Sequence, residues 1–315
     1  MQQPLTWMGH RLPTCWLLAL VVACTAAGCT QTPENASQFP NSKFASEGAA
    51  KANTDQATLN MAVIPWQVSA EQEKKLQPLA EYLTKTLGRP VQFEIAKDYD
   101  TAVDLLVEGK VDLAFLGAVT YVKARLRNPQ VQPLVAPIEK TTGRPWYTSA
   151  IVVNSAKGIE KLEDLKGKRF GFVTKSSTSG YLVPMAHFKD LGIDPDRDFA
   201  AVNYAGSHDK SKAALIAGEV DAIADDKRSL LAQQKAGKLD PSKYKIIWES
   251  QPIPNTPIVA SSKLSQPLIL ELKKAFINAP EGLLDPSGSE SAGYTLVQDE
   301  DYTPVRKLLE RVQSK

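Results

Sequence analysis

The chain has 315 residues, with 37 Lys and Arg against 35 Asp and Glu for a formal net charge of +2, and 43% of its residues are hydrophobic. No long basic or acidic run concentrates that charge, which excludes a nucleic-acid groove and a charged interaction tail and leaves recognition to local geometry. A length beyond the roughly 250 residues at which single cores stop growing predicts two lobes.

At the N-terminus, His10 and Arg11 precede an apolar run from Trp16 to Ala23. That is the layout of a secretory signal peptide, and it is shorter than the about twenty apolar residues of a membrane span. Ala26, Ala27 and Gly28 before Cys29 resemble the lipobox of bacterial lipoproteins, in which the cysteine is lipidated and becomes the mature N-terminus; Cys24 is the alternative. Residues 1–28 are therefore expected to be the signal. Residues 29–57, rich in Ser, Thr, Asn, Gln, Ala and Pro, are expected to be a flexible tether with too little apolar surface to offset chain entropy. The remaining cysteine, Cys15, lies inside the signal, so the mature protein is expected to have no disulfide, thiolate metal site or catalytic cysteine.

The folded part begins with a strand at Leu59 to Ile64 that stops at Pro65. The spacing of Leu76, Leu79, Ala80, Leu83 and Leu87 predicts a helix ended by Gly88-Arg89-Pro90, with Pro78 marking a kink or a late start. A strand at Val91 to Ile95, a helix from Tyr99 to Glu108 and a buried strand at Val111 to Leu116 complete a β-α-β-α-β order. After Gly117 come a helix to about Leu126 and strands at Val131 to Val135 and Thr148 to Val153. A second alternation then has strands at Arg169 to Val173, near Phe199 to Tyr204 and at Val220 to Ala224, with helices from Gly180 to Leu191 and from Asp209 to Ala217. Strands at Tyr244 to Trp248 and Pro257 to Ala260 lead back, and helices Leu268 to Asn278 and Pro304 to Val312 close the chain.

This pattern predicts an α/β protein of two lobes, each a mostly parallel sheet flanked by helices. Lobe 1 is expected over 58–146 and 254–315 and lobe 2 over 147–253, with two connecting strands as a hinge over a cleft. Ligands of open α/β sheets bind beyond the carboxyl ends of strands, where Gly117, the Ser177 turn and Asp225 fall.

The run Ser177-Thr178-Ser179-Gly180-Tyr181 follows a strand and opens a helix. Free N–H groups and partial positive charge at a helix start, with small hydroxyls beside them, suit an oxyanion, and Gly180 would let the backbone approach it. Equally, Ser177 or Ser179 caps the helix. Asp225 and Asp226, at a strand end, either reach the cleft and share a proton with a bound oxyanion or cap the next helix through Asp226. Trp66 and Tyr121 either wall the pocket or pack ordinarily.

With these residues in place, the chain resembles the substrate-binding proteins of phosphonate and phosphite ABC transporters, within the type II periplasmic binding-protein fold. Four segments carry the resemblance: Asp98-Tyr99 ahead of Val111 to Gly117; Trp146-Tyr147 entering Ile151 to Asn154; Ser177 to Pro184; and Gly206-Ser207-His208-Asp209 ahead of Gly218 to Asp221. It implies that Tyr99, Tyr147, Ser177, Thr178, Ser179 and His208 hold a phosphorus oxyanion. Family members that bind aminoethylphosphonate use carboxylates for its ammonium group, and Arg228 and Thr256 stand at those positions here, which argues against an aminoalkyl ligand.

The resemblance thus implies a monomeric, lipid-anchored protein on the periplasmic side of the cell envelope. It would capture phosphite or a small non-amino phosphonate such as methylphosphonate for an inner-membrane ABC permease, without cofactor, metal or nucleic acid. Phosphate or sulfonate binding, or an extracytoplasmic sensing role, stays open. A Ser/His hydrolase is the reading from another class, but the sequence has no Gly-x-Ser-x-Gly elbow, His-Glu-x-x-His helix or Walker loop, and of its three histidines His10 lies in the signal and His187 on a predicted helix.

Overall fold

A computed structural model describes residues 57–314. Cys15, Cys24 and Cys29, and with them the signal, lipid anchor and tether, lie outside the described residues. The first elements are β1 (Leu59–Val63), α1 (Ser69–Leu87), β2 (Val91–Ile95), α2 (Tyr99–Val107), β3 (Leu113–Phe115), α3 (Ala118–Arg127) and β4 (Gln132–Glu139). A crossing strand β5 (Trp146–Tyr147) leads to β6 (Ser149–Asn154), β7 (Arg169–Phe172), a π-helical turn (Thr178–Leu182) and α4 (Val183–Asp190). Then come α5 (Pro195–Asp198), β8 (Ala201–Tyr204), α6 (His208–Ile216), β9 (Ala222–Asp226), α7 (Lys227–Lys235), β10 (Tyr244–Glu249) and the returning strand β11 (Ile253–Pro254). The chain closes with β12 (Ile258–Ala260), α8 (Gln266–Ile277), β13 (Ser291–Leu296) and α9 (Thr303–Gln313).

Two sheets result, a six-stranded one ordered β13-β4-β12-β3-β1-β2 and a five-stranded one ordered β10-β6-β9-β7-β8. The pairs built by β-α-β units are parallel, β1 with β2 and β3 in the first sheet and β7 with β8 and β9 in the second. Strands that return without such a crossover, β12, β4, β13, β6 and β10, pair antiparallel. Between the sheets, β5 and β11 form a two-stranded antiparallel ribbon, Tyr147 opposite Ile253 and Trp146 opposite Pro254. This ribbon is the pair of connecting strands that the interrupted order of the chain requires.

Met61, Val63, Leu113 and Val259 are fully buried in the first sheet, and Phe170, Phe172, Ile151 and Ala224 in the second. Each large apolar side chain so buried stabilises the fold by about 1.5–3 kcal/mol. Three local expectations are corrected. α1 runs unbroken from nine residues before Pro78, because the Lys74 carbonyl that loses its intrahelical partner lies on an exposed face where water can serve it. The helix expected from Gly180 opens as a π-helical turn, with Val183 N–H donating five residues back to the Thr178 carbonyl. The sequence pattern does not predict β13: Ser291 to Leu296 has a glycine and three hydroxyl-bearing residues and shows a weak period, and it becomes a strand by pairing with β4 at the sheet edge.

Candidate functional site

Four helix starts and one strand end meet between the two sheets. α2 begins at Tyr99, its Asp98 cap accepting from Thr101 N–H at 2.7 Å. α3 begins after Gly117, α6 at His208 under the Ser207 cap, and the π-helical turn after Ser177. β9 ends in Asp225 and Asp226. Helix starts present free N–H groups and partial positive charge, so the arrangement favours an anion before any side chain is considered.

The hydroxyl turn is oriented by its own backbone. Ser177 Oγ accepts from Gly180 N–H at 3.0 Å, which realises the capping reading and leaves its O–H proton free to donate. Thr178 Oγ1 accepts from Val119 N–H of α3 at 2.9 Å, a bond from one lobe to the other, and its proton is likewise free. Ser179 holds the turn from its other side, its carbonyl accepting from Ser149 Oγ at 2.6 Å, while its own hydroxyl is buried without a partner among the described residues. Ser177, Thr178 and Ser179 are all nearly inaccessible to solvent.

Gly180 answers to a different constraint from the one expected. A Cβ there would lie 2.3 Å from Val173 Cγ2 and 2.9 Å from Ser177 Oγ, so the glycine is required for packing against β7's end rather than for ligand approach.

Tyr99 and Tyr147 are brought to this turn from α2 and β5. Both phenols are buried, and the Tyr99 hydroxyl has no partner among the described residues. Burial, with Tyr147 and Asp225 nearby, pushes Tyr99 well above the usual phenol range. Burial, then the Asp226 charge, pushes Tyr147 up to about 12. Both remain neutral O–H donors at any physiological pH. Thr256 Oγ1 and Trp66 Nε1 are two more buried donors without partners among the described residues. The desolvation of an unpaired donor costs about 1–3 kcal/mol, so several in one place call for an acceptor-rich partner.

His208 faces Trp66 in a stack with centroids 4.1 Å apart and 22° between planes. Its Nδ1 lies 2.5 Å from Asp225 Oδ1. That oxygen also accepts from Asp226 N–H at 2.6 Å and Ser229 Oγ at 3.1 Å, and Lys212 Nζ stands 3.5 Å from Oδ2. Burial alone would raise the Asp225 carboxyl, but the Lys212 and His208 charges and these hydrogen bonds hold it below the usual carboxylate range. Asp225 is therefore ionised and takes the Nδ1 side of His208. With Nδ1–H committed to Asp225, Nε2 accepts when the ring is neutral and donates only as imidazolium.

The expected Asp pair divides. Asp226 caps α7, accepting from Arg228 N–H at 2.8 Å, and forms a two-pronged ion pair with the Arg228 guanidinium, Nη2 at 2.7 Å. Its carboxylate is committed to those bonds, which corrects its placement as an acid free to take a ligand proton. Arg228 lies 4.5 Å from the Tyr147 ring centroid and within 3.4 Å of Asn255 Oδ1, so its charge is answered within the protein. Tyr121 packs ordinarily, its hydroxyl donating to Asp299 at 2.6 Å and its ring edge-on to Tyr302. His187 stacks on Trp248 away from the turn.

The structure thus brings together Tyr99, Tyr147, Ser177, Thr178, Ser179, His208 and Asp225. Lys212 and Ser149 join them without having been singled out as site residues. Lys212 lies four residues after His208 on α6, a spacing that places both on one face and was legible; nothing local marks Ser149. A groove of about 480 Å³ elsewhere, lined by Ala186, His187, Trp248, Ile253 and Leu308, is largely apolar and contains none of these hydroxyls. Among the described residues no group of His, Cys, Asp and Glu is placed to hold a metal ion, and no helix is long and apolar enough to cross a membrane.

Two sheets joined by a two-strand ribbon, with polar donors converging between them, define a two-lobed binding protein. The profile of the family described as ABC transporter, phosphonate, periplasmic substrate-binding protein matches residues 61–302, and the chain belongs to that family. It is 31% identical over 271 residues to the phosphate-import protein PhnD of Mycolicibacterium smegmatis, covering 80% of this chain and 84% of that one. It is 27% identical over 267 residues to the phosphonates-binding periplasmic protein of Escherichia coli, covering 82% and 78%. The structure of PhnD1 from Prochlorococcus marinus in complex with methylphosphonate superposes with a TM-score of 0.73 at 22% identity, covering 81% of this chain and 98% of that one, and confirms the type II periplasmic binding-protein fold.

Proposed function

We propose that this protein is the solute-binding component of an ABC importer and that its lobes close on a small phosphorus oxyanion, phosphite or a non-amino phosphonate such as methylphosphonate. The observation that carries this reading is the convergence of buried donors without partners among the described residues, Tyr99 Oη, Ser179 Oγ and Trp66 Nε1, beside the preoriented hydroxyls of Ser177 and Thr178. Neutral donors from both lobes favour an acceptor-rich tetrahedral anion, and the ligand that bridges them stabilises the closed state. His208, held by Asp225 through Nδ1, keeps Nε2 as its remaining polar atom for an anion oxygen. An ammonium substituent would meet carboxylates whose charge is already answered, Asp226 by Arg228 and Asp225 by His208 and Lys212, although Asp225 Oδ2 accepts no hydrogen bond among the described residues.

Phosphate is the second reading, favoured by the M. smegmatis relative, whose name assigns it phosphate import. Lobe 1 is taken as 58–146 with 254–315 and lobe 2 as 147–253, with the ribbon of β5 and β11 as hinge. Lipid attachment at Cys29 and delivery by a monomer to an inner-membrane permease complete the proposal. It involves no covalent chemistry: among the described residues His208 Nδ1 is hydrogen-bonded to Asp225 and no hydroxyl is hydrogen-bonded to His208.

Calorimetry against phosphite, phosphate, methylphosphonate, hypophosphite, aminoethylphosphonate and sulfate tests the reading. One phosphorus oxyanion without an amine should bind far more tightly than the rest. Preference for aminoethylphosphonate or sulfate, or measurable ester hydrolysis lost on changing Ser177 or His208, would overturn it.

A further inference from the structure

Ser176 stands one residue ahead of the hydroxyl turn, and its hydroxyl points the other way. It is 2% exposed and belongs to the five-stranded-sheet side of the molecule, yet both its partners belong to the six-stranded-sheet side. Its Oγ donates to Asp100 Oδ1, in the first turn of α2, at 2.7 Å, and accepts from Lys123 Nζ of α3 at 2.7 Å. Lys123 and Asp100 are themselves 3.6 Å apart. The turn fixes the serine, since Ser176 N–H donates to Thr174 Oγ1 at 3.0 Å. A hydroxyl is suited to this place because it offers a donor to the carboxylate and an acceptor to the ammonium at once.

The bridge is chemically separate from the anion donors but lies beside them. Asp100 follows Tyr99 on α2, and Lys123 is one helical turn beyond Val119, whose N–H donates across the cleft to Thr178 Oγ1. When the lobes part, Asp100 and Lys123 keep each other and water, while Ser176 loses both partners. The bridge therefore distinguishes closed from open without reading the ligand.

We infer that Ser176, Asp100 and Lys123 form a closure latch, a set of positioning residues that stabilise the closed state and raise affinity for every accepted anion by the same factor. The inference rests on the oxyanion reading above. Apparent affinity scales with the population of the binding-competent state, so a latch outside the pocket changes affinity without changing selectivity. Because the contacts form after encounter, their loss falls on the dissociation rate. Asp100 is 70% exposed, which places the effect at the low end for hydrogen bonds to charged groups, about tenfold in Kd.

The test uses the full chain and three probes, phosphite, inorganic phosphate and methylphosphonate, with S176A, D100A and the double variant. Each single variant should weaken every anion that binds by about tenfold through a faster off-rate and leave the ratios between anions unchanged. The double variant should be little worse than either single one. Losses confined to one anion, additive losses or unchanged affinity overturn the latch. Hydrogen exchange at the Val119 amide of the ligand-free protein separates the latch from the ligand assignment: if none of the three anions binds, the oxyanion reading has failed, and the latch still requires lower Val119 protection in S176A. Equal protection in wild type and S176A in that case overturns the latch as well.

Discussion

Substituting Gly180 by alanine should cost stability and binding together. The new methyl carbon would lie 2.3 Å from Val173 Cγ2, 2.6 Å from Val173 Cβ and 2.9 Å from Ser177 Oγ. Carbon atoms at optimal separation stand about 3.5–4.0 Å apart, so something must move by roughly 1 Å or more. Val173 is fully buried and β-branched, its N–H donates to the Gly180 carbonyl at 3.0 Å, and its carbonyl accepts from Gly206 N–H at 2.8 Å, which leaves it little room. Overpacking of this kind costs about 1–3 kcal/mol, and displacement of Ser177 Oγ also aims the first hydroxyl of the turn away from the anion. Urea denaturation and calorimetry of G180A measure both effects. Adding V173A supplies an internal control. Alone it removes two buried methyl groups at about 2 kcal/mol, but combined with G180A it makes the space that the added methyl needs, so the double variant should be more stable than the sum predicts by at least about 1 kcal/mol. Wild-type stability and affinity in G180A, or strict additivity with V173A, would refute the packing argument.

Replacing Ser177 and Thr178 together by alanine removes two charge-assisted hydrogen bonds of about 1.5–3 kcal/mol each, so affinity for the preferred anion should fall at least about a hundredfold by calorimetry. Tyr99→Phe keeps the buried ring and removes only the hydroxyl; binding should weaken about tenfold while stability without ligand holds or rises, because an unpaired donor is no longer desolvated. Asp221 is held at about 2 by hydrogen bonding to Arg169, against the opposing effect of burial. Its folded value lies below its unfolded one, so the stabilisation is complete above about pH 4 and is lost as pH falls toward 2. D221N should therefore cost about 2 kcal/mol at pH 7 and almost nothing near pH 2, as read by denaturation across that range.

The architecture was legible because its signals are local and repeated. Alternating apolar strands and capped helices announce β-α-β units, and an interrupted order implies the ribbon of β5 and β11. Tyr99, Tyr147, the serine-threonine turn and His208 were legible as a set in order, although no single one of them specifies an anion. What the chain could not announce are the choices made by long-range partners. Asp226 and Asp225 are adjacent and identical in sequence, yet one turns to Arg228 and the other to His208 and Lys212, a difference fixed by alternate faces of β9. The packing role of Gly180 is hidden for a related reason, since its neighbour Val173 is seven residues away and is brought to it only by the turn. Ser176 is inconspicuous beside three other hydroxyls; its two charged partners are 76 and 53 residues distant.

The most direct test of the central claim is a crystal structure of the protein with whichever phosphorus oxyanion binds most tightly. The anion should lie between the two sheets with its oxygens within hydrogen-bonding distance of Ser177, Thr178, Ser179, Tyr99 and Tyr147, and with His208 Nε2 on a further oxygen. An anion bound elsewhere, or held by Arg228 with the hydroxyl turn left unoccupied, would contradict it.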